Sequence, residues 1–225
     1  MKNFRIKISY SLLLLSSISA ILALSISGFI FKSGTAGIGI IILFLLQITQ
    51  PKTSRDLWFV IGAFFFSILG DWFLSNMQGD PMKFSKGIAL YLLAHCGYLV
   101  FALLNGKIKW GLTGGLLMAF LVYYFLILYP VFNDQILMIA TLIYLLVSVF
   151  SLSTSAGIQA DPIVKWSYVF GIFLILFSDM IISFKEFLKY DSLNFLILPT
   201  YYLAHISITF SLIRKEELVD LKSKN

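Results

Sequence analysis

The sequence predicts an all-α, polytopic membrane bundle of about eight transmembrane helices, with both termini in the cytoplasm. Three observations carry this. The chain of 225 residues is 59% hydrophobic and only 12% charged, with mean hydropathy +0.92; soluble domains run near half apolar and about a quarter charged. Eight apolar stretches approach the ~20 residues that a helix needs to cross hydrocarbon. The 17 Lys and Arg residues fall unevenly between the two sides that such a topology creates. No polar stretch is long enough to fold as a separate soluble unit.

The stretches are 8–31, 34–50, 57–75, 85–104, 110–130, 134–153, 163–184 and 194–213. Turn-forming punctuation separates them: Lys32–Gly34, Pro51–Arg55, Gly79–Lys83, Asn105–Lys109, Pro130–Asp134, Asp161–Pro162 and Lys189–Asn194. The second stretch is the shortest. The opening "MKNFRIKISYSLLLLSSISAILALS" has the basic start, apolar run and small residues of a signal peptide. Its apolar run continues unbroken to Phe31, which suits a membrane anchor better. Residues 1–213 read as one transmembrane domain, and 214–225, "RKEELVDLKSKN" from Arg214, as a charged cytoplasmic tail whose Glu216, Glu217 and Asp220 are solvated. Asp80, Asp134, Asp161 and Glu186 read as solvated loop charges.

Orientation follows from charge. Lys2, Arg5, Lys7, Lys52, Arg55, Lys107, Lys109, Lys165, Arg214, Lys215, Lys222 and Lys224 lie on one side; Lys32, Lys83, Lys86, Lys185 and Lys189 lie on the other. The positive-inside rule puts the richer side, with both termini, in the cytoplasm. In a bacterium the residence would be the inner membrane. Trp58, Trp110 and Trp166 fall at the cytoplasmic starts of their spans, as interfacial anchors should. The net charge of +6 therefore speaks for anionic headgroups of a lipid bilayer and against nucleic acid. A single cysteine, Cys96, excludes an intramolecular disulfide and reads as a buried, inert thiol. Glycines in spans 34–50, 85–104 and 110–130 suit close helix packing in lipid.

Two carboxylates stand inside this apolar sequence. Asp71, in "LGDWFLS", and Asp179, in "LFSDMIIS", lie at similar depth in spans that run the same way. Each would cost about 2.5–3.5 kcal/mol at the centre of an isolated helix. Polar partners are therefore expected, and helical spacing supplies them. Ser67, Asp71 and Ser75 share one face; so do Asp179 and Ser183, Tyr91, His95 and Tyr98, and Tyr201, His205 and Thr209. Tyr144, Ser148 and Ser151 form a weaker stripe. Such stripes line a cavity rather than face lipid. There is no HExxH, GxxxxGK[ST] or GxSxG pattern. A metal would have to use His95 and His205 with the aspartates, and the pattern supports this weakly.

The ordered set "GDWFLS" (70–75), "FSKGIALYLLAHCGYLVF" (84–101), "FSDMIISF" (177–184) and "TYYLAHISI" (200–208) resembles the YhhN family of lysoplasmalogenases. Asp71, Phe84, Gly87, His95, Tyr98, Asp179, Tyr201 and Tyr202 fall where that family's pattern asks. Two departures are visible: Gln50-Pro51 with Lys52 displaced, where the family often has Lys-Pro, and His205 where it usually has Gln. The resemblance implies an eight-helix plan and hydrolysis of the vinyl ether bond of alkenyl lysophospholipids. The products would be a fatty aldehyde and glycerophosphoethanolamine or glycerophosphocholine, with no cofactor and no metal.

The residues suit that chemistry. Carbon protonation of a vinyl ether gives an oxocarbenium ion, close kin to glycoside cleavage by two carboxyl groups. Asp71 and Asp179 are the expected acid/base pair, with the choice of donor open. His95 would support one of them; Tyr98, Tyr201, Tyr202 and His205 would contact substrate, and Lys83, Lys86 or Lys185 the headgroup. Two rival readings stay open: a proton-coupled transporter, because Asp and His chains mark proton paths, and a bis-histidine haem protein using His95 and His205.

Overall fold

The computed structural model describes residues 2–26, 29–48, 55–132 and 134–222, all helix and connecting turns apart from one isolated β-bridge. Among the described residues nine α-helices follow in order: α1 (Lys2–Ser25), α2 (Phe29–Lys32), α3 (Gly34–Ile48), α4 (Leu57–Ser75), α5 (Pro81–Asn105), α6 (Trp110–Tyr123), α7 (Gln135–Ser155), α8 (Pro162–Leu188) and α9 (Asn194–Lys222). A π-helical turn, Tyr124–Leu128, and a 3₁₀ turn, Tyr129–Val131, extend α6 up to the start of the next turn. The π turn comes just before Pro130, which lacks the N–H that regular helix would require.

Helix starts follow the acidic residues. Asp80, Asp134 and Asp161 each accept a bond from a backbone N–H in the first turn of α5, α7 and α8, and Pro81 and Pro162 occupy the first helical positions. Asp134 and Asp161 are exposed, as expected, Asp80 is half-buried, and all three are also caps.

Among the described residues, seven helices are long and apolar enough to cross a membrane: α1 from Phe4 onward, α4, α5, α6 with the turns that extend it, α7, α8 and α9. The eighth, α3, has 15 described residues, about 22 Å of helix. Contacts at its end show that it nonetheless returns the chain to the starting face. The Arg5 guanidinium, at the start of α1, donates to the Leu46 carbonyl near the end of α3 (3.3 Å). Asn105, ending α5, meets Asp56, which precedes α4 (2.9 Å). Gly106 pairs with Ile158, joining the turns after α5 and α7, and Ser211 of α9 reaches Val164 at the start of α8 (2.6 Å). The passes therefore alternate, and α1 begins at the same end of the bundle where α9 finishes.

That end corrects two expectations. The first helix runs from Lys2 to Ser25 rather than 8–31, with α2 a separate short turn. The sequence from Arg214 is no detached tail: α9 continues to Lys222. Glu216 and Asp220 are 1% and 4% exposed, not solvated. Asp220 pairs with Arg5 (3.2 Å), Glu217 accepts from Tyr10 (3.0 Å), and Lys215 reaches both Asp56 (2.5 Å) and Asn105 (2.7 Å). The first and last helices are thus joined by paired charges. Lys52 and the Gln50-Pro51 departure lie outside the described residues.

The outer surface carries exposed Leu, Ile and Phe side chains along its length, among them Phe65, Leu103, Phe125, Phe173 and Leu203. A water-soluble protein does not sustain such a girdle; a lipid-facing bundle does. Trp58, Trp110 and Trp166 project outward at the end that holds the termini. Inside, small residues let helices touch: a Cβ on Gly97 of α5 would stand 2.6 Å from the Phe59 carbonyl of α4. Cys96, its neighbour, is half-buried.

Candidate active site

At the end opposite the termini, α4, α5, α8 and α9 enclose a cavity of about 280 Å³. Asp71 and Asp179 both line it. The matched depth inferred from sequence thus brings the two carboxylates to one chamber.

Each aspartate is held by two ring-borne groups from other helices. Asp71 accepts from the Tyr91 hydroxyl of α5 on Oδ1, and from the Tyr201 hydroxyl of α9 on Oδ2 (3.2 Å). The two phenol rings meet edge to face, 6.2 Å between centroids. Asp179 accepts from the Tyr144 hydroxyl of α7 (2.5 Å) and meets His95 Nε2 of α5 (3.1 Å), both on Oδ2. The His95 and Tyr144 rings also stand edge to face, 5.0 Å apart. These hydrogen bonds offset the desolvation of two carboxyl groups inside an apolar bundle.

The local sequence explains the aim of each group. Tyr91 and His95 are four residues apart, so one face of α5 serves both aspartates. Tyr201 lies just beyond Pro199, inside α9. Around that proline the Leu196 and Ile197 carbonyls accept hydroxyl bonds from Thr200 (2.7 Å) and from Ser178 of α8 (3.1 Å). Thr200 and Ser178 therefore add hydroxyl donors on the carbonyls that follow Phe195, whose own carbonyl is the one Pro199 leaves without a helical N–H, next to the two tyrosines.

The other expected site residues divide. Tyr202 lines the cavity, as does Ser75. Tyr98 and His205 do not; both are buried behind it against Phe64. His205 Nδ1 meets the Tyr201 carbonyl (3.0 Å) and its ring stacks edgewise on Tyr201 at 4.4 Å. Direct substrate contact by Tyr98 and His205 is therefore corrected to support of the wall. Among the described residues no group of three or more His, Cys, Asp or Glu converges as a metal site would require. Of the three lysines expected near the headgroup, only Lys185 lines the cavity. Lys83 donates to the Asn76 carbonyl (2.9 Å), and Lys86 sits over the Phe73 ring (5.8 Å).

Sequence reasoning noted Tyr91 and Tyr144 only as members of polar stripes, and placed Glu186 in solvent. Glu186 belongs to α8 and lines the cavity beside Lys185, Lys32 and Asn194. Its spacing of seven from Asp179, two helical turns, is the signal that could have found it. Two smaller cavities, about 70 and 60 Å³, adjoin Asp179 and Tyr144. Their walls are apolar apart from Asp179, Thr141, Ser183 and the tyrosine hydroxyls: Leu74, Ile88, Ile182 and Phe187 in one, Phe120, Leu128, Leu145 and Leu176 in the other.

A multi-pass helical bundle with a paired-carboxylate chamber between its helices defines the class: an integral membrane protein with an intramembrane polar site. Comparison with known families then places it. The YhhN family profile matches residues 31–212, and the chain belongs to the YhhN family. No curated protein and no solved structure matches it.

Proposed function

We propose that the protein hydrolyses the vinyl ether bond of alkenyl lysophospholipids, with Asp71 and Asp179 as an acid/base pair. The observation that carries this is the pairing itself: two carboxyl groups with different partners facing one chamber. Asp71 is flanked by two phenols, neutral groups that do not accept a proton near neutral pH. Asp179 is bonded to an imidazole, which has a second ring nitrogen through which a proton can be passed. Asp71 is accordingly assigned as proton donor, and Asp179 with His95 as the base.

The steps balance as follows. Asp71 gives its proton to the alkenyl carbon remote from oxygen, and the double-bond electrons form that C–H bond. The resulting oxocarbenium ion faces the carboxylates, which stabilise its charge. Water adds at the carbon bonded to oxygen as Asp179 takes its proton. The hemiacetal then collapses. Asp71 recovers a proton from the hemiacetal hydroxyl, Asp179 returns one to the departing glycerol oxygen, and both groups are reset. The aliphatic chain lies toward the apolar chambers beside Asp179. With the termini on the cytoplasmic side, the cavity opens in the outer leaflet.

The test is direct. Protein purified in detergent is incubated with an alkenyl lysophospholipid, and free aldehyde is assayed. A transporter gives none, because it moves its substrate unchanged. His95 is a positioning group for Asp179. His95→Gln should lower kcat roughly 10²-fold and leave KM near the wild-type value. A rise in KM with kcat intact would assign His95 to substrate binding instead.

A further inference from the structure

We infer that Glu186, with Lys185, Lys32 and Asn194, forms a headgroup subsite that selects a phosphodiester bearing a primary ammonium, as in an ethanolamine lysolipid. This rests on the vinyl ether reading above and names the part of the substrate that sets specificity.

The cavity carries two cations and one anion besides the catalytic pair. Lys185 Nζ and Glu186 Oε1 stand 3.4 Å apart, with side chains 44% and 18% exposed. Such a pair can exchange its internal contact for a zwitterion: the phosphate takes the lysine, and the ammonium takes the glutamate. Neither charge is then stranded, which a purely anionic or neutral headgroup would cause.

Dimensions agree. Glu186 follows Asp179 by seven residues, so the two share a face of α8 with an axial offset of about 10 Å. In an alkenyl lysolipid, ten bonds separate the vinyl carbon bonded to oxygen from the headgroup nitrogen. At about 1.5 Å per bond in a partly folded zigzag they span roughly 9–12 Å. The phosphorus lies six bonds along, within reach of the flexible Lys185 and Lys32 side chains. With the vinyl ether at Asp179, the ammonium falls at Glu186.

Asn194 decides between ammonium types. It lines the cavity; its amide nitrogen donates to Asp191 (2.6 Å), and its Oδ1 is buried without a hydrogen-bond partner. A primary ammonium can donate to both Glu186 and that oxygen. A quaternary ammonium has no N–H to give and is recognised instead by aromatic cages. Ethanolamine is therefore preferred over choline.

The experiment uses the full chain in detergent and three alkenyl lysolipids of one chain length, bearing ethanolamine, choline or a bare phosphate. The wild type should show the highest kcat/KM for ethanolamine, about tenfold above the bare phosphate, equivalent to ~1.4 kcal/mol. Glu186→Gln should erase that preference by raising KM for ethanolamine, and Glu186→Lys should shift it toward the bare phosphate. A saturated alkyl-ether ethanolamine lysolipid, which cannot be hydrolysed, should raise the thermal stability of the wild type and not of Glu186→Gln. Wild-type discrimination retained in Glu186→Gln overturns the subsite. Aldehyde release with no headgroup dependence overturns it too, while leaving the vinyl ether reading intact. Failure of both release and stabilisation removes both.

Discussion

Asp71→Asn and Asp179→Asn should each lose about 10²–10⁴-fold in kcat while remaining folded bundles. Asparagine keeps the volume of aspartate and still accepts one hydrogen bond. The Tyr91 and Tyr201 contacts to Asp71, and the Tyr144 and His95 contacts to Asp179, therefore persist in part. What disappears is the proton carried at one position and the carboxylate base at the other. The two act on one reaction coordinate, so their effects should not multiply: the double variant should fall about as far as the worse single one. Aldehyde release, measured beside thermal unfolding in the same detergent, separates chemistry from folding. Near-normal turnover by either single variant would remove that aspartate from the mechanism.

The second large effect lies at the other end of the bundle. Lys215→Met should lower unfolding free energy by about 2–3 kcal/mol, slightly below the 3–5 kcal/mol of a fully buried pair, because the Lys215 side chain is 21% exposed. The substitution keeps the aliphatic length over the Phe101 ring. It removes the Lys215 ion pair from Asp56, which is 2% exposed, and the donor to Asn105. Asp56 and Asn105 tie α4 to α5, and Lys215 brings in α9, so the loss spans three helices. Pairing Lys215→Met with Asp56→Asn should recover part of the stability, since the neutral amide loses less than a carboxylate does when the Lys215 ion pair is absent. Activity per folded molecule should stay near wild type, because the chamber holding Asp71 and Asp179 is at the opposite end. An unchanged unfolding temperature for Lys215→Met would show that the cluster contributes nothing to stability.

Much of this architecture was legible in the sequence because lipid imposes simple rules. Apolar length reported the passes through the bilayer, and polar stripes reported the inward faces. Asp71 and Asp179 could be matched because both are counted from helix starts that are sharply marked, Asp56–Leu57 and Asp161–Pro162. The failures have a common physical origin. Arg5 and Asp220 are 215 positions apart, so nothing local distinguishes a buried partner from a solvated charge, and the end of α9 read as a tail. Tyr98 and His205 lie on the polar faces of α5 and α9, but both are buried against Phe64 rather than lining the cavity. Helix periodicity gives direction without depth. Glu186 was misplaced for the opposite reason: α8 runs on to Leu188, four residues past the apolar stretch, and carries its charges into the mouth of the site.

The central claim is that a carboxylic acid protonates carbon and water completes the cleavage. It is tested most directly by turnover of an alkenyl ethanolamine lysolipid in heavy water, with the aldehyde trapped by reduction and weighed. The mechanism requires free aldehyde carrying one deuterium on the carbon next to the carbonyl, released in equal amount with glycerophosphoethanolamine and slowed about 10²–10⁴-fold in Asp71→Asn. Recovery of the intact lipid after incubation with folded wild-type protein would contradict it.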